Sequence, residues 1–587
     1  MNTFPLIRIK WSNEHGMAAL LLVLMLYHIP LWLDNPAGIF NALLLMAFTL
    51  VLDAIANLLK YKRLWCCVSA AVTAAIISLL TSVIPLWGQM VGLATALVFG
   101  KYIWGGTGKN KINPAMVGLL FILIFWKVPY PYFASSYWLL PAAVLGLLFL
   151  KIRPFAGIGF IIGALVVLLL KQNFNFGSIL SNGVLFWSCI ILTDPVTVTK
   201  NRWVGFLSGI LAGFIALYLS HNAWIIVVMV FAVNLISFAA ETSVTTYRGL
   251  KAKCKMPKVF SYEKDKYLDL TGVNIKAEEA EIGIEELSAE EIINSIKHLK
   301  VYGMGGAAFP TYKKIVSVRS GTEKKKYLII NGVECDPGLI HDEYILHNYP
   351  EEIGKAIEIL GHCIDFNSIH LAVKSEEGLN FKKDILVHKV ANLYPTGAEK
   401  ILIKEVLNLT LRKEQIPAES GILVLNVQTV YSIYKAIYLN CPADTRFLTV
   451  ANLRDKTAQV VKVRLGMKLQ DIMTAVYPQE LGFFAGGGLM QAHSAAEDAV
   501  LDPSINFIAT GAFPKYKESP QCSQCGNCIS NCPAGLMVNR IADLVDQGKL
   551  QDTLKYNPNE CISCGSCSYF CLAGRNLAAK VKAAKKY

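Results

Sequence analysis

The chain has 587 residues, 54% of them apolar and only 17% charged, against ~45–50% and ~25% in soluble globular domains. This balance excludes a wholly soluble enzyme, a disordered chain and a secreted disulfide scaffold. The net charge of +13 sits largely in short segments between apolar runs, which is how membrane proteins place it and not how nucleic-acid binders do.

From Met17 onward the chain reads as ten apolar runs: about 17–33, 38–59, 65–84, 89–104, 114–128, 137–151, 154–170, 179–193, 203–220 and 223–241. Several fall short of the ~20 residues that span a bilayer, which leaves room for re-entrant segments. The first run lacks an Ala-x-Ala-like cleavage site, so it reads as a span and not a signal peptide. Basic residues alternate between loops. One side carries Arg8, Lys10, Lys60, Lys62, Arg63, Lys109, Lys111, Lys151, Arg153, Lys200 and Arg202, then the run from Arg248 to Lys258; the other carries only Lys127 and Lys171. By the positive-inside rule the rich side is cytoplasmic. An even span count then predicts a multi-pass domain over residues 1–247 in the cytoplasmic (cell inner) membrane, in contact with lipid, with both termini and the rest of the chain in the cytoplasm. Asp53 reads as an interfacial carboxylate or as part of an ion path. Cys66, Cys67 and Cys189 read as packing residues. Two polar loops stand out, Gly105–Met116 with its Asn113-Pro114 helix start, and Thr193–Thr197. They are either tight turns or backbone folded around an ion or cofactor.

Residues 248–289 read as linker and acidic helix: 248–270 is charged and lacks periodicity, and 277–300 reads as an acidic amphipathic helix that runs on into the next domain. A glycine-rich stretch, Gly303-Met304-Gly305-Gly306-Ala307-Ala308-Phe309-Pro310-Thr311, follows with Lys313 and Lys314 behind it. Such backbone can approach a phosphate, and a following helix adds its positive N-terminal end. The apolar run Tyr327–Asn331 reads as a buried strand leading into Gly332–Gly338. Helix and strand then alternate to about 426, which predicts an α/β domain over 290–440. Short strands and the Gly486-Gly487-Gly488 turn predict a small β-grasp-like domain over 441–510.

The last segment, 511–587, carries the strongest signal. Cys522-x2-Cys525-x2-Cys528-x3-Cys532-Pro533 recurs as Cys561-x2-Cys564-x2-Cys567-x3-Cys571. This spacing binds two 4Fe–4S clusters, and the last Cys of each run serves the other cluster. One cluster is then held by Cys522, Cys525, Cys528 and Cys571, the other by Cys561, Cys564, Cys567 and Cys532. Structural zinc is the alternative reading.

The soluble half resembles the C subunit of Rnf electron-transport complexes, a relative of the flavoprotein subunit of complex I. The resemblance rests on GMGGAAFPT (303–311), LIINGVECDPG (328–338), YPTGAEK (394–400), LNVQT (425–429) and the cluster motifs. The membrane half resembles the D subunit of Rnf and the B subunit of the sodium-pumping NADH:quinone reductase, through GGTGKNKINPAMVG (105–118) and ILTDPVT (191–197). The chain is thus similar to a D–C fusion. The resemblance implies a multi-domain chain: a polytopic helical membrane domain, an α/β flavin and dinucleotide-binding domain, a β-grasp-like domain and a ferredoxin-like domain with two clusters.

It also implies a site. Gly303, Gly305 and Lys314 would cradle the phosphate of a non-covalent FMN. Asn331 and Glu334 would line the flavin, with Glu399, Asn426 and Thr429 completing the site. Phe309 would stack on NAD(H), and Asp336 would lie near that dinucleotide. Three departures stand out. Ala308 replaces the last glycine of the loop. The family's N-terminal small β domain is missing. The Ser-Gly-Ala-Thr motif that carries a covalent FMN is also missing, so none is expected. The implied function is a subunit of an ion-translocating oxidoreductase, passing electrons between NAD(H), FMN, the clusters and ferredoxin or a similar carrier, beside other Rnf-like subunits and coupled to Na⁺ or H⁺ movement. The alternative is a membrane-anchored flavin and iron–sulfur oxidoreductase without pumping.

Overall fold

The computed structural model describes residues 13–61, 64, 66–104, 106, 110–126, 154–172, 183–194, 197–199, 201–219, 223–242, 250–256, 259–263, 266–272, 287–306, 308–379, 381, 384–412, 414–480, 482–511, 522 and 525–586. The expected span at 137–151, the loop at 128–136 and most of the loop at 171–178 lie outside them, as does the first part of the expected acidic helix; Ser288 caps its described part, Ala289–His298.

The N-terminal half is helical. Asn13–Asp34, Ala37–Tyr61, Val68–Leu80 and Leu86–Thr95 come first, the last continuing as a π-helix over Ala96–Tyr102. Pro114–Phe125 and Phe155–Leu170 follow, then Val184–Phe186 running into a second π-helix, Trp187–Ile191, and finally Arg202–Tyr218 and Ala223–Thr242. The described residues do not bear out ten full-length spans. Only Glu14–Asp34 and Ala37–Leu59 are long and apolar enough to cross a bilayer by themselves; the other apolar helices run to 10–17 residues. Polar loops and prolines bound Val68–Leu80, Leu86–Tyr102 and Pro114–Phe125, whereas Phe155–Leu170, Arg202–Tyr218 and Ala223–Thr242 fill their expected runs.

The packing is nevertheless that of a lipid-facing bundle. Large apolar side chains such as Leu59, Leu169, Leu170 and Leu207 point outward and are exposed, while Thr49, Asp53, Asn57, Lys101 and Asn234 are buried. Helices Phe155–Leu170 and Arg202–Tyr218 meet through interlocking glycines. A Cβ on Gly159 or Gly163 would lie 2.2 or 2.1 Å from the carbonyls of Phe206 and Ile210. One on Gly209 or Gly213 would lie 2.1 or 2.2 Å from those of Ala156 and Phe160. Small residues four apart let helix backbones touch, which is how helices associate where lipid removes the hydrophobic drive.

Asp53 is not an exposed interfacial carboxylate. Its Oδ1 accepts from Lys101 Nζ at 2.7 Å and from Tyr102 OH at 2.5 Å, and its Oδ2 from the Cys67 amide at 2.8 Å and Asn57 Nδ2 at 3.2 Å. Lys101 and Tyr102 close the first π-helix. The two polar loops are also brought together. Asn113 caps the helix beginning at Pro114; its amide donates to Asn234 Oδ1 at 3.0 Å and its side chain reaches Asp194. Breaking a buried ion pair strands the partner charge, at roughly 3–5 kcal/mol. Lys101→Met should therefore lower the thermal stability of the detergent-solubilised chain strongly, and Lys101→Met with Asp53→Asn should recover much of it; equal stability of wild type and Lys101→Met would refute the pairing.

The C-terminal half contains two sheets. In chain order the strands are β1 (Tyr267–Asp269), β2 (Tyr327–Asn331), β3 (Ser368–Val373), β4 (Ile385–Lys389), β5 (Ile422–Asn426), β6 (Thr445–Asn452), β7 (Thr457–Arg464), β8 (Phe484–Gly486), β9 (His493–Ser494) and β10 (Phe507–Thr510). The first sheet is wholly parallel, in the order β4-β3-β2-β5. Its central strand Leu328-Ile329-Ile330 is buried on both faces, as parallel strands covered by helices must be. The second sheet runs β1-β7-β6-β10-β8-β9 around the β6–β7 hairpin.

Strand β1 comes from the segment read above as a linker, so that segment is no free tether. Ser261 and Tyr267–Asp269 pair with β7 and its approach. Upstream, Lys251-Ala252-Lys253-Cys254-Lys255-Met256 alternates exposed lysines with buried Ala252, Cys254 and Met256. The segment has no helical period, but it does have the two-residue period of an extended strand.

Candidate functional site

Three helices begin around one cleft of about 570 Å³ at the C-terminal ends of β2 and β5. They are Thr311–Arg319 after the glycine-rich loop, Glu399–Leu407 after Gly397, and Val427–Tyr438 after Asn426. Each presents its positive N-terminal end, so the cleft suits an anion. Parallel α/β sheets place ligands at this edge because the strand-to-helix turns converge there.

Of the expected residues, Gly303, Gly305, Phe309, Lys314, Asn331, Glu399, Asn426 and Thr429 all line this cleft. The glycine-rich loop folds back on itself, with the Gly303 amide donating to the Phe309 carbonyl at 2.8 Å. Its tip is tied to the third helix by the Met304 amide, which donates to Thr429 Oγ1 at 2.9 Å. Asn426 caps that helix through Gln428. Lys314 pairs with Glu399 and donates to the Val424 carbonyl at 3.2 Å. Phe309 is 45% exposed at the cleft mouth, free to stack on a planar ring. A Cβ on Gly305 would meet nothing closer than Asn426 Cβ at 3.4 Å, so a side chain there would grow into the space over the loop. The buried Thr311 hydroxyl on the cleft wall has no protein partner. An orphan hydroxyl, three helix ends and a lysine make a donor set that fits a flavin phosphate.

Glu334 and Asp336 are placed elsewhere. Both line a neighbouring cavity of about 250 Å³. Glu334 accepts from the Asp342 and Glu343 amides at 2.9 and 3.3 Å and so caps the helix His341–Asn348. The Asp336 carboxylate is consumed by the amides of Gly338, Leu489 and Met490 at 2.9, 2.9 and 3.0 Å. It clamps the flavin-side loop to the Gly488 turn of the second sheet instead of facing a dinucleotide. Gly488 is required there, since a Cβ would lie 2.4 Å from Asp336 Oδ2. Lys313 and Gly397, both within the motifs noted above, also line the cleft, as does the Ile416–Ala418 turn, whose apolar residues carry no local signal of that role.

Burial, reinforced by the Asp342 carboxylate, raises Glu334 from 4.5 to about 8. The folded chain keeps a proton that the unfolded chain releases above about 4.5. The stability held at this site is present at low pH and falls as pH rises towards about 8. Glu334→Gln should flatten the fall in unfolding temperature between about pH 5 and about pH 8; an unchanged slope would show the proton to be held elsewhere.

The cysteines gather in two sets. Burial pushes Cys571 up to about 11 against backbone hydrogen bonds from Arg575 and Ala573, and the neighbouring Cys525 and Cys522 raise it further. Burial also raises Cys567, whose neighbours are Cys564, Cys561, Cys532 and Cys528, and pushes Cys564 up to about 12. Cys571 thus stands with the first run and Cys532 with the second, the exchange expected from the spacing. Two thiolates on one zinc at about 2.3 Å must lie within about 4.6 Å of each other. Among the described residues the one group of three or more possible ligand atoms within 4.8 Å is Glu334, His341 and Asp342, so no three thiols share a zinc-sized shell. Wider sets of thiols suit iron–sulfur clusters, whose cations would deprotonate them.

The two sites adjoin. Asn331 Nδ2 in the cleft donates to the Gly397 carbonyl at 2.9 Å, and the Gly397 amide to Cys335 Sγ at 3.3 Å. Cys335 packs against an apolar cluster that includes Tyr394, Met490, Cys564 and Tyr569. Tyr394 OH donates to the Cys564 carbonyl at 2.6 Å.

Fold and site together define a flavin-binding α/β unit joined to a two-cluster iron–sulfur unit, behind a bundle of lipid-type helices. Residues 296–435 match the Nuo51 FMN-binding domain, 514–572 the 4Fe-4S dicluster domain, and 2–145 the NQR2, RnfD, RnfE family. The C subunit of the ion-translocating oxidoreductase complex of Haemophilus influenzae is 28% identical over 270 residues, 43% of this chain and 33% of that protein. Its Vibrio cholerae counterpart is 28% identical over 278 residues, 44% of this chain and 35% of that protein. The C subunit of the Na(+)-translocating ferredoxin:NAD(+) oxidoreductase complex of Acetobacterium woodii is 26% identical over 320 residues, 52% of this chain and 71% of that protein. The chain thus spans about a third of the length of the first two relatives. In one polypeptide it joins a segment similar to the D-type membrane subunits to a C-terminal half similar to these C subunits.

The loop's departure at Ala308 has a structural consequence. Ala308 sits at φ 50°, in the left-handed region that favours glycine. Ala308→Gly should stabilise the flavin unit by about 1 kcal/mol, read as a raised unfolding temperature with flavin content unchanged; a lowered one would show that the methyl is a packing element.

Proposed function

We propose that the chain is a membrane-bound subunit of an ion-translocating electron-transport complex, passing electrons between NAD(H) and a ferredoxin-like carrier. The observation that carries this reading is the adjacency of an anion-binding, flavin-sized cleft to a thiol set through Tyr394. FMN, when bound, exchanges electron pairs with a nicotinamide and single electrons with iron–sulfur centres. The chain's own part is positioning. Gly303 and Gly305 leave room for the phosphate, and the helix ends at Thr311 and Val427 attract it. Lys314 exchanges its Glu399 partner for it. Phe309 offers a face at the mouth where a nicotinamide enters. On the far side, Asn331, Gly397, Cys335 and Tyr394 form a hydrogen-bonded and packed connection between cleft and thiols.

Charge bias and the bundle's lipid-type packing support a cytoplasmic redox half, with the Lys171 side of the bundle outside. Pumping of Na⁺ or H⁺ and association with further subunits belong to the same reading. NADH added anaerobically to the purified chain should bleach bound flavin and then bring up the signal of reduced clusters. Acid should release the flavin as free FMN, and Gly305→Val should abolish flavin retention while iron content stays. Flavin and clusters both present, yet unresponsive to NADH and to reduced ferredoxin, would sink the assignment. For topology, a membrane-impermeant thiol reagent should label Lys171→Cys on intact cells and Arg202→Cys only after permeabilisation.

A further inference from the structure

The extended strap Leu250–Met256 follows the helical half in the chain and lies against the iron–sulfur unit. The Lys251 amide donates to the Pro533 carbonyl at 3.1 Å. Cys254 and Tyr394 exchange both backbone hydrogen bonds, at 3.2 and 2.6 Å. Between these anchors, Lys253 Nζ donates to the Cys532 carbonyl at 2.8 Å. Cys532 stands with Cys561 and Cys564, the thiols of the second run.

We propose that Lys253 sets the reduction potential of the iron–sulfur centre held by Cys532, Cys561, Cys564 and Cys567. The proposal rests on the cluster reading given above. Reduction adds one electron from the flavin, or from a chemical reductant, to this centre. No bond forms or breaks and no proton moves, so the centre gains one negative charge. A fixed ammonium on a ligand's own carbonyl stabilises that added charge, and local charge is one of the terms that sets such potentials.

Lys253 shares this role with Lys585, whose Nζ donates to the Cys561 carbonyl at 2.7 Å. Among the described residues no carboxylate lies within 4.0 Å of Lys253, so its charge is not cancelled locally. A cation facing the other thiol set, Arg575 beside Cys522, is paired with Asp543 at 3.0 Å and Asp546 at 2.6 Å. Lys251 and Lys255 point outward on the same strap and make no side-chain bond to a ligand residue among the described contacts. The second set therefore carries two ammoniums on ligand carbonyls, Lys253 and Lys585, where the first set's cation is compensated, which makes the centre beside the flavin the easier one to reduce. Lys253 is itself partly solvated, so the effect is screened by salt.

The test is a potentiometric titration of the full chain, purified anaerobically and followed by electron paramagnetic resonance, with iron content measured alongside. Lys253→Gln should lower the reduced-to-oxidised ratio of one centre about threefold at fixed ambient potential, equal to about 28 mV for a one-electron couple at 59 mV per tenfold. The other centre should not move, and the shift should shrink as ionic strength rises. Lys253→Arg should restore the wild-type ratio, and Lys255→Gln, with the same change in net charge, should leave it unchanged. Unshifted centres in Lys253→Gln, with iron content intact, would overturn the proposal. An equal shift in Lys255→Gln would overturn it too, because the effect would then be general surface charge. Absence of iron from the wild-type chain would instead remove the cluster reading itself, and the role of Lys253 with it.

Discussion

Tyr394 is the residue on which the redox half turns. It is buried, and burial keeps its phenol protonated and therefore a donor. Its backbone pairs with Cys254 of the strap, its hydroxyl donates to the Cys564 carbonyl, and its loop runs on to Gly397 in the flavin cleft. One residue, through backbone and side chain together, thus ties the strap, the cleft and the second thiol set to one another. Hydrogen bonds and packing at this junction tie the cleft to the second thiol set.

The same economy appears at Asp336. A carboxylate at the C-terminal end of a strand is chemically suited to touch a ligand, yet here its oxygens are spent on three amides, two of them from the second sheet. A buried carboxylate is tolerable only when its lone pairs are met. The bonds that meet them make Asp336 a joint between the flavin unit and the β unit. Glu334 is likewise committed to a helix end, which leaves the cleft to Lys314, Asn331, Glu399 and Asn426.

In the helical half, interior and exterior are reversed relative to a soluble domain. Apolar side chains face out, while an ion pair, Asp53 with Lys101, and a set of asparagines are enclosed. Helix contact is made by glycines that let carbonyls touch Cα atoms, because apolar bulk alone gives no preference for protein over lipid. The two π-helices sit directly before the two polar loops, which meet at Asn113 and Asp194. Irregular backbone at membrane depth is tolerated where it is buried in protein, and this is such a place.

The sequence by itself determined whatever local chemistry or strict spacing encodes. The duplicated cysteine runs, the glycine-rich loop before a helix, the buried strand Tyr327–Asn331 and the apolar runs were all legible, because each is a pattern within about a dozen residues. Eight of the ten expected flavin and dinucleotide residues line the cleft for the same reason: their motifs sit at strand ends and helix starts, which local sequence reveals. Tertiary structure alone decided the rest. Whether a carboxylate meets a ligand or a neighbouring amide depends on which loop packs beside it, so Glu334 and Asp336 could not be placed from their motif. Whether an apolar run forms a whole span depends on where partners interrupt it, so ten full-length spans are not borne out among the described residues. A charged, apparently featureless linker became a strap and an edge strand because Pro533, Tyr394 and Val460, far along the chain, offered it backbone partners. Contacts over hundreds of residues leave no local trace, and they are what bring Lys253 to the carbonyl of Cys532.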